Sequence, residues 1–163
     1  MMKKIKPGPG QESVWDYPRP PRIERFHGSI EIVFNSEIIF RGNQSFRILE
    51  TSHPPTYYLP LHDFAAGVVV PVAGNSFCEF KGMAAYFSIQ VGDRTAEKSA
   101  WGYANPMEPY KALKDHIALY AHEMDQCLVN GEAVQAQPGD FYGGWITSNI
   151  VGPFKGGAGT WGW

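Results

Sequence analysis

Residues 76–91, SFCEFKGMAAYFSIQV, alternate side chain by side chain in two runs separated by Gly82 and the small pair Ala84 and Ala85. A period of two commits a chain to β-strands, because successive side chains of a strand point to opposite faces. In the first run Phe77, Glu79 and Lys81 share one face, and Cys78 and Phe80 share the other. In the second, Phe87, Ile89 and Val91 form an apolar face opposite Tyr86, Ser88 and Gln90. This reads as two strands of one sheet. Where their polar faces coincide, Glu79, Lys81 and Tyr86 line one surface that can hold a ligand. Read as scaffold alone, the same Glu and Lys are a solvent-facing ion pair worth about 0–1 kcal/mol.

Strand chemistry continues on both sides. Asn35-Ser36 between IEIVF and EIIF has the composition of a tight hairpin turn, and Asn130-Gly131 suits a type I′ turn. The run after Ser45 sets Phe46 and Ile48 on one face and Arg47 and Leu49 on the other. Pro109 opens a short helix through YKALKDH, followed by a strand at IALY. Residues 50–60, ETSHPPTYYLP, read as a polar loop stiffened by two prolines and flanked by Arg47 and Glu50. Such loops carry binding groups more often than strands do. Ser52 beside His53 is not a nucleophile with its base, because chain neighbours do not face one another as a triad requires.

The chain of 163 residues, 44% of them hydrophobic, has the size of one domain able to bury a core without metal or disulfide help. A formal charge of -2 gives no reason to expect nucleic acid or an anionic membrane as partner. Cys78 and Cys127 are too far apart for a zinc knuckle or a disulfide framework, so both are expected to be buried free thiols. The lysines near the N-terminus precede no apolar stretch of signal-peptide length, and the expectation is a cytoplasmic protein. Residues 1–22, rich in Pro and Gly, read as an extended arm in which Val14, Trp15 and Tyr17 dock into a groove. Residues 23–136 form the folded body. Residues 137–163 hold three of the five tryptophans, Trp145, Trp161 and Trp163, without amphipathic period. They read as a tail wrapping the body or a neighbouring subunit, which allows a homo-oligomer built through its aromatic residues.

The strings ETSHPPTYY, SFCEFKG, VGDR, AEKSAWGY, KDHIALY and VNGEAV, in that order over residues 30–134, resemble the bacterial and fungal family known as domain of unknown function 427. The arm VWDYPRPPRIE resembles its lead-in, and the tail from FYGGW to GTWGW resembles an extension of one branch. The resemblance implies a β-tent, two antiparallel sheets leaning together at an angle, as in methionine sulfoxide reductase B and the thalidomide-binding domain of cereblon. The paired Cys-x-x-Cys knuckles that hold zinc in those relatives are missing from this sequence, so no structural zinc is expected and the reductase chemistry does not carry over. The family is sometimes labelled nucleotidyltransferase. Metal-dependent nucleotidyl transfer needs closely placed carboxylates. There is no Asp-x-Asp, and Glu123 with Asp125, or Glu31 near Gly28-Ser29, meet the need poorly.

The expected function is a small-molecule site in a polar and aromatic cleft between the sheets, without cofactor or metal. Glu79 would serve there as acid/base and Lys81 as cation. Arg47, Glu50, His53, Tyr57, Tyr58, Tyr86, Trp101, Tyr103 and His116 would bind the ligand. The alternatives are a non-catalytic module for a peptide, a modified side chain or a nucleobase, and a nucleotidyltransferase.

Overall fold

The computed structural model describes residues 2–78, 81–139 and 141–163, with the side chains of Phe77 and Cys78 outside the description. Its strands, in chain order, are β1 Glu12–Ser13, β2 Arg22–Phe26, β3 Ile30–Phe34, β4 Glu37–Gly42, β5 Ser45–Leu49, β6 Thr56–Pro60, β7 Val69–Cys78 and β8 Gly82–Val91. They continue with β9 Arg94–Tyr103, β10 His116–Leu119, β11 Gln126–Val129, β12 Glu132–Ala133, β13 Gln135–Ala136, β14 Trp145–Ile146 and β15 Ile150–Val151. Helical structure among the described residues is confined to single 3-10 turns, and the helix expected after Pro109 is one of these, Lys111–Leu113. No described helix is long and apolar enough to cross a membrane.

Seven strands form an antiparallel sheet in the order β2-β5-β6-β10-β9-β8-β7, and four form a second in the order β12-β11-β3-β4. The hairpin turns carry the backbone that their residues favour. Asn35 and Ser36 have φ of 49° and 64°, and Asn130 and Gly131 have 50° and 82°, the positive pair that a type I′ turn requires. The central alternation is a hairpin of β7 on β8, with Cys78 opposite Gly82 and Ser76 opposite Ala84.

The sheets pack through their inner faces. Ile30, Ile32 and Phe34 of β3 meet Leu59 of β6, Ile89 of β8 and Ile117 and Leu119 of β10 in one cluster, each at most 2% exposed. The alternation of β3 follows directly: Ile30, Ile32 and Phe34 are buried, while Glu31 and Val33 are half-buried. Segment 50–60 departs from the loop expectation, since Thr56–Pro60 is a strand paired to β5 and β10. Aromatic and β-branched residues suit a half-buried pleat better than a loop, so the polar loop ends at Pro55.

The outer face of the seven-stranded sheet is also apolar. Phe46, Ile48, Tyr58, Ala84, Tyr103 and Ala118 form a second cluster, covered in part by Tyr110 and Leu113. Arm and tail also meet each other within one chain. The short strand β1 pairs in parallel with β15, Val14 and Tyr17 pack with Leu49 and Ile150, and the Trp15 indole donates to Pro153 O at 2.9 Å. The tail also reaches the main core through Trp145, 1% exposed, which stacks on Tyr57 at 5.1 Å and donates its indole N–H to Leu119 O.

Because Trp145 fills the interior between elements far apart in the chain, Trp145→Ala should cost about 3–5 kcal/mol. The urea midpoint of the full chain measures this. A loss of only about 0.5 kcal/mol, the size typical of surface sites, would show that the tail does not share the core.

Candidate functional site

Strand parity decides which side chains can meet. On β6, Tyr57 and Leu59 point inward, so Tyr58 points outward. On β8, Ile89 and Val91 are inward and Ala84 and Tyr86 outward. Register then places Tyr86 opposite Trp101, Trp101 opposite Ala118, and Ala84 opposite Tyr103. These outward residues floor a cavity of about 490 Å³, lined also by Ile48, Ser76 and Lys81. The cleft therefore lies on the outer face of the large sheet. The space between the sheets, where it was expected, is filled by the inner apolar cluster.

Arm and tail supply the rest of its wall: Arg19, then Gln137, Phe141, Tyr142, Gly143 and Lys155, with Tyr120 at the end of β10. Gly143 is placed where only glycine fits, since a Cβ there would stand 2.2 Å from Trp101 Cη2. The indole thus lies directly against the tail backbone, and its N–H donates to the Tyr58 hydroxyl at 3.2 Å. Trp101 also packs on Tyr120 at 4.8 Å, and the Tyr120 hydroxyl donates to Phe141 O at 3.1 Å. Across the cleft the hydroxyls of Ser76 and Tyr86 share a hydrogen bond of 2.5 Å. The Lys81 ammonium sits 6.0 Å from the Tyr103 ring centre.

One side chain fixes the state of His53. The buried Gly144 N–H donates to Gln137 Oε1 at 3.0 Å, which turns the Gln137 amide nitrogen toward Lys155 O at 2.8 Å and His53 Nδ1 at 3.0 Å. An amide NH₂ can only donate, so Nδ1 must accept and the neutral ring carries its proton on Nε2. That nitrogen lies 3.8 Å from Glu50 Oε2, which is itself 3.4 Å from Arg19 Nε. Burial, then the charges of Lys155, Arg19 and Lys81, push the imidazole down to about 4. The described lining thus holds three cations, Arg19, Lys81 and Lys155, one carboxylate, Glu50, and a neutral histidine.

Seven of the residues picked from sequence line this cleft: Glu50, His53, Tyr58, Lys81, Tyr86, Trp101 and Tyr103. Glu79, the expected acid/base, lies outside the described residues. Arg47, Tyr57 and His116 stand elsewhere. Arg47 and Tyr57 follow inward parity: the guanidinium binds Glu24 at 2.5 Å and is held charged by that pair and by Glu12, while Tyr57 is packed between Phe26 and Trp145. His116 is outward but lines a separate cavity with Pro60 and His62, against the Phe46 ring, with its Nδ1 donating to Lys114 O. Sequence reading missed Arg19, Ser76, Tyr120, Gln137, Tyr142 and Lys155. The aromatic residues of arm and tail signalled that these segments dock, but no periodicity says where. Of the two thiols expected to be buried, Cys127 is buried and free, and burial raises its thiol above the usual range. The Cys78 side chain lies outside the description.

Fold and cleft define a class: a two-sheet antiparallel β domain whose outer face floors a small aromatic cavity. The chain belongs to the family Domain of unknown function (DUF427), also labelled NTP_transf_9, whose model matches residues 22–130. No curated protein matches the chain.

The pH response of the fold tests the His53 geometry. With the group at about 4 when folded and 6.5 when free, the folded state binds fewer protons across that window. Stability contributed by neutral His53 is present above 6.5 and lost as pH falls toward about 4, on the order of 3 kcal/mol in total. His53→Gln should flatten the fall in unfolding free energy between about pH 7 and about pH 4 by that order. Parallel wild-type and variant curves would show that the imidazole is not held neutral.

Proposed function

We propose that the chain is a small-molecule-binding domain whose ligand enters the cavity on the outer face of the seven-stranded sheet, under the tail. The observation that supports this reading most strongly is a partly enclosed cavity whose floor is aromatic. A volume of about 490 Å³, within the usual range for small-ligand sites, is left open between Tyr58, Tyr86, Trp101 and Tyr103 on the floor and the 141–143 segment above. Tyr110 and Leu113 cover the neighbouring part of the same sheet face. Aromatic rings with a few converging polar groups are the composition of a ligand site, and the hydrogen bonds of Trp101 and Tyr120 orient the walls in advance.

The nucleotidyltransferase label asks for a different donor set. Two magnesium ions need several carboxylates on one wall. The described lining offers one, Glu50, already beside Arg19, among three cations, and no described cluster of His, Cys, Asp and Glu could hold a metal ion. These residues do not fit a two-metal centre. Binding is therefore the reading adopted, with turnover to be measured directly.

The test is a thermal-shift screen of the full chain against nucleotides with and without Mg²⁺, sugars and aromatic metabolites. A compound at about 100 times its dissociation constant adds roughly 2.7 kcal/mol, which raises the midpoint by several degrees. Trp101→Ala and Tyr86→Ala should each abolish that shift. A shift that survives both variants would place the ligand elsewhere. Recovery of the compound unchanged after incubation separates a binding module from an enzyme.

A further inference from the structure

Taking this cleft as a ligand site leaves open the kind of ligand it accepts. Resting on that reading, we infer that it takes an anion with a flat aromatic body, a carboxylate or phosphate ester whose oxyanion is held by Lys81 and whose ring lies between Trp101 and Tyr86.

The charges of the lining point to the anion. Arg19 is committed to Glu50 at 3.4 Å, and the Lys155 ammonium donates to the Trp163 main-chain oxygen at 3.3 Å. Lys81 differs from both. It is 9% exposed, it lines the cavity, and none of the ion pairs among the described residues includes it. Its near neighbour is a tyrosine ring at 6.0 Å, a contact worth about 0.5–1 kcal/mol at an exposed site and less than a charge-assisted hydrogen bond supplies. Three N–H donors are thus presented to a partly enclosed space. A neutral ligand filling that space would strip water from the ammonium and return nothing. An oxyanion would satisfy it with charge-assisted hydrogen bonds. The surplus of cations acts in the same direction, since their combined field already disfavours a proton on His53 across the cleft.

The body of the ligand follows from the walls. Register puts Tyr86 directly opposite Trp101 on neighbouring strands, both on the cleft face. Trp101 is held by Tyr58 and Gly143, and Tyr86 is tied to Ser76. Rings fixed in this way offer flat apolar surface at little entropic cost, which suits an aromatic ligand better than a flexible one.

Titration calorimetry on the full chain with two matched pairs tests this: naphthoate against naphthamide, and a nucleoside monophosphate against its parent nucleoside. The charged member of at least one pair should bind at least about tenfold more tightly, the gain from a charge-assisted hydrogen bond. The pair that responds identifies carboxylate or phosphate as the head group. Lys81→Met should bring the two members to parity without weakening the neutral one, and Lys81→Arg should keep the preference. Equal affinities in the wild type would overturn the inference while leaving the cleft as a site for neutral ligands, and a preference that survives Lys81→Met would overturn Lys81 as the group that holds the oxyanion. Binding of no probe to the wild type would instead overturn the ligand-site reading and the inference with it.

Discussion

The seven-stranded sheet is apolar on both faces, and the rest of the structure answers to that. A sheet with one wet face needs a single partner layer, but a sheet that carries Leu59, Ile89 and Ile117 on one side and Phe46, Ile48 and Tyr58 on the other needs two. The four-stranded sheet covers the first. No second sheet among the described residues covers the other, so irregular pieces do: the 3-10 segment bearing Tyr110 and Leu113, the N-terminal arm and the C-terminal tail. Irregular segments do not tile a pleated surface completely. The cleft is a part of the outer face that they cover without filling.

Irregular cover brings a second requirement, because loop backbone buried against a sheet must find hydrogen-bond partners. Gln137 meets it for the tail, serving Gly144 N–H, Lys155 O and His53 Nδ1 together. Electrostatics follows from this accounting. An imidazole whose Nδ1 must accept stays neutral, so it cannot join the cation count, yet it sits where Lys81, Lys155 and Arg19 all act on it. The tautomer of the cleft histidine is thus tied, through Gln137, to a backbone hydrogen bond at Gly144.

The same physics decides how much is legible in the residues alone. Hairpins are legible because their turns are local chemistry: Asn35-Ser36 and Asn130-Gly131 take the positive φ that their side chains tolerate. Parity is legible too, which is why Tyr86, Trp101 and Tyr103, grouped from the sequence, line one cavity. Which face of the sheet turns inward is not legible, since alternation cannot rank two apolar faces, and the expected cleft accordingly falls on the wrong side. The choice between Tyr57 and Tyr58 depends on that same decision, as does the diversion of Arg47 to Glu24. The tail residues are out of reach for another reason. Gln137, Tyr142 and Lys155 act through contacts spanning many residues of chain, and their local sequence, rich in glycine, carries no period to extrapolate.

The division of labour in the cleft also bears on what family membership can mean here. The matched segment, 22–130, contains the floor: Tyr58, Lys81, Tyr86, Trp101 and Tyr103. Arg19 lies before it, and Gln137, Tyr142, Gly143 and Lys155 lie beyond it. On the proposed reading, the partial cover given by arm and tail is what gives that floor its charge requirement. On the proposed reading the family segment therefore carries the rings and the ammonium, while the residues on either side of it set the dielectric in which they act.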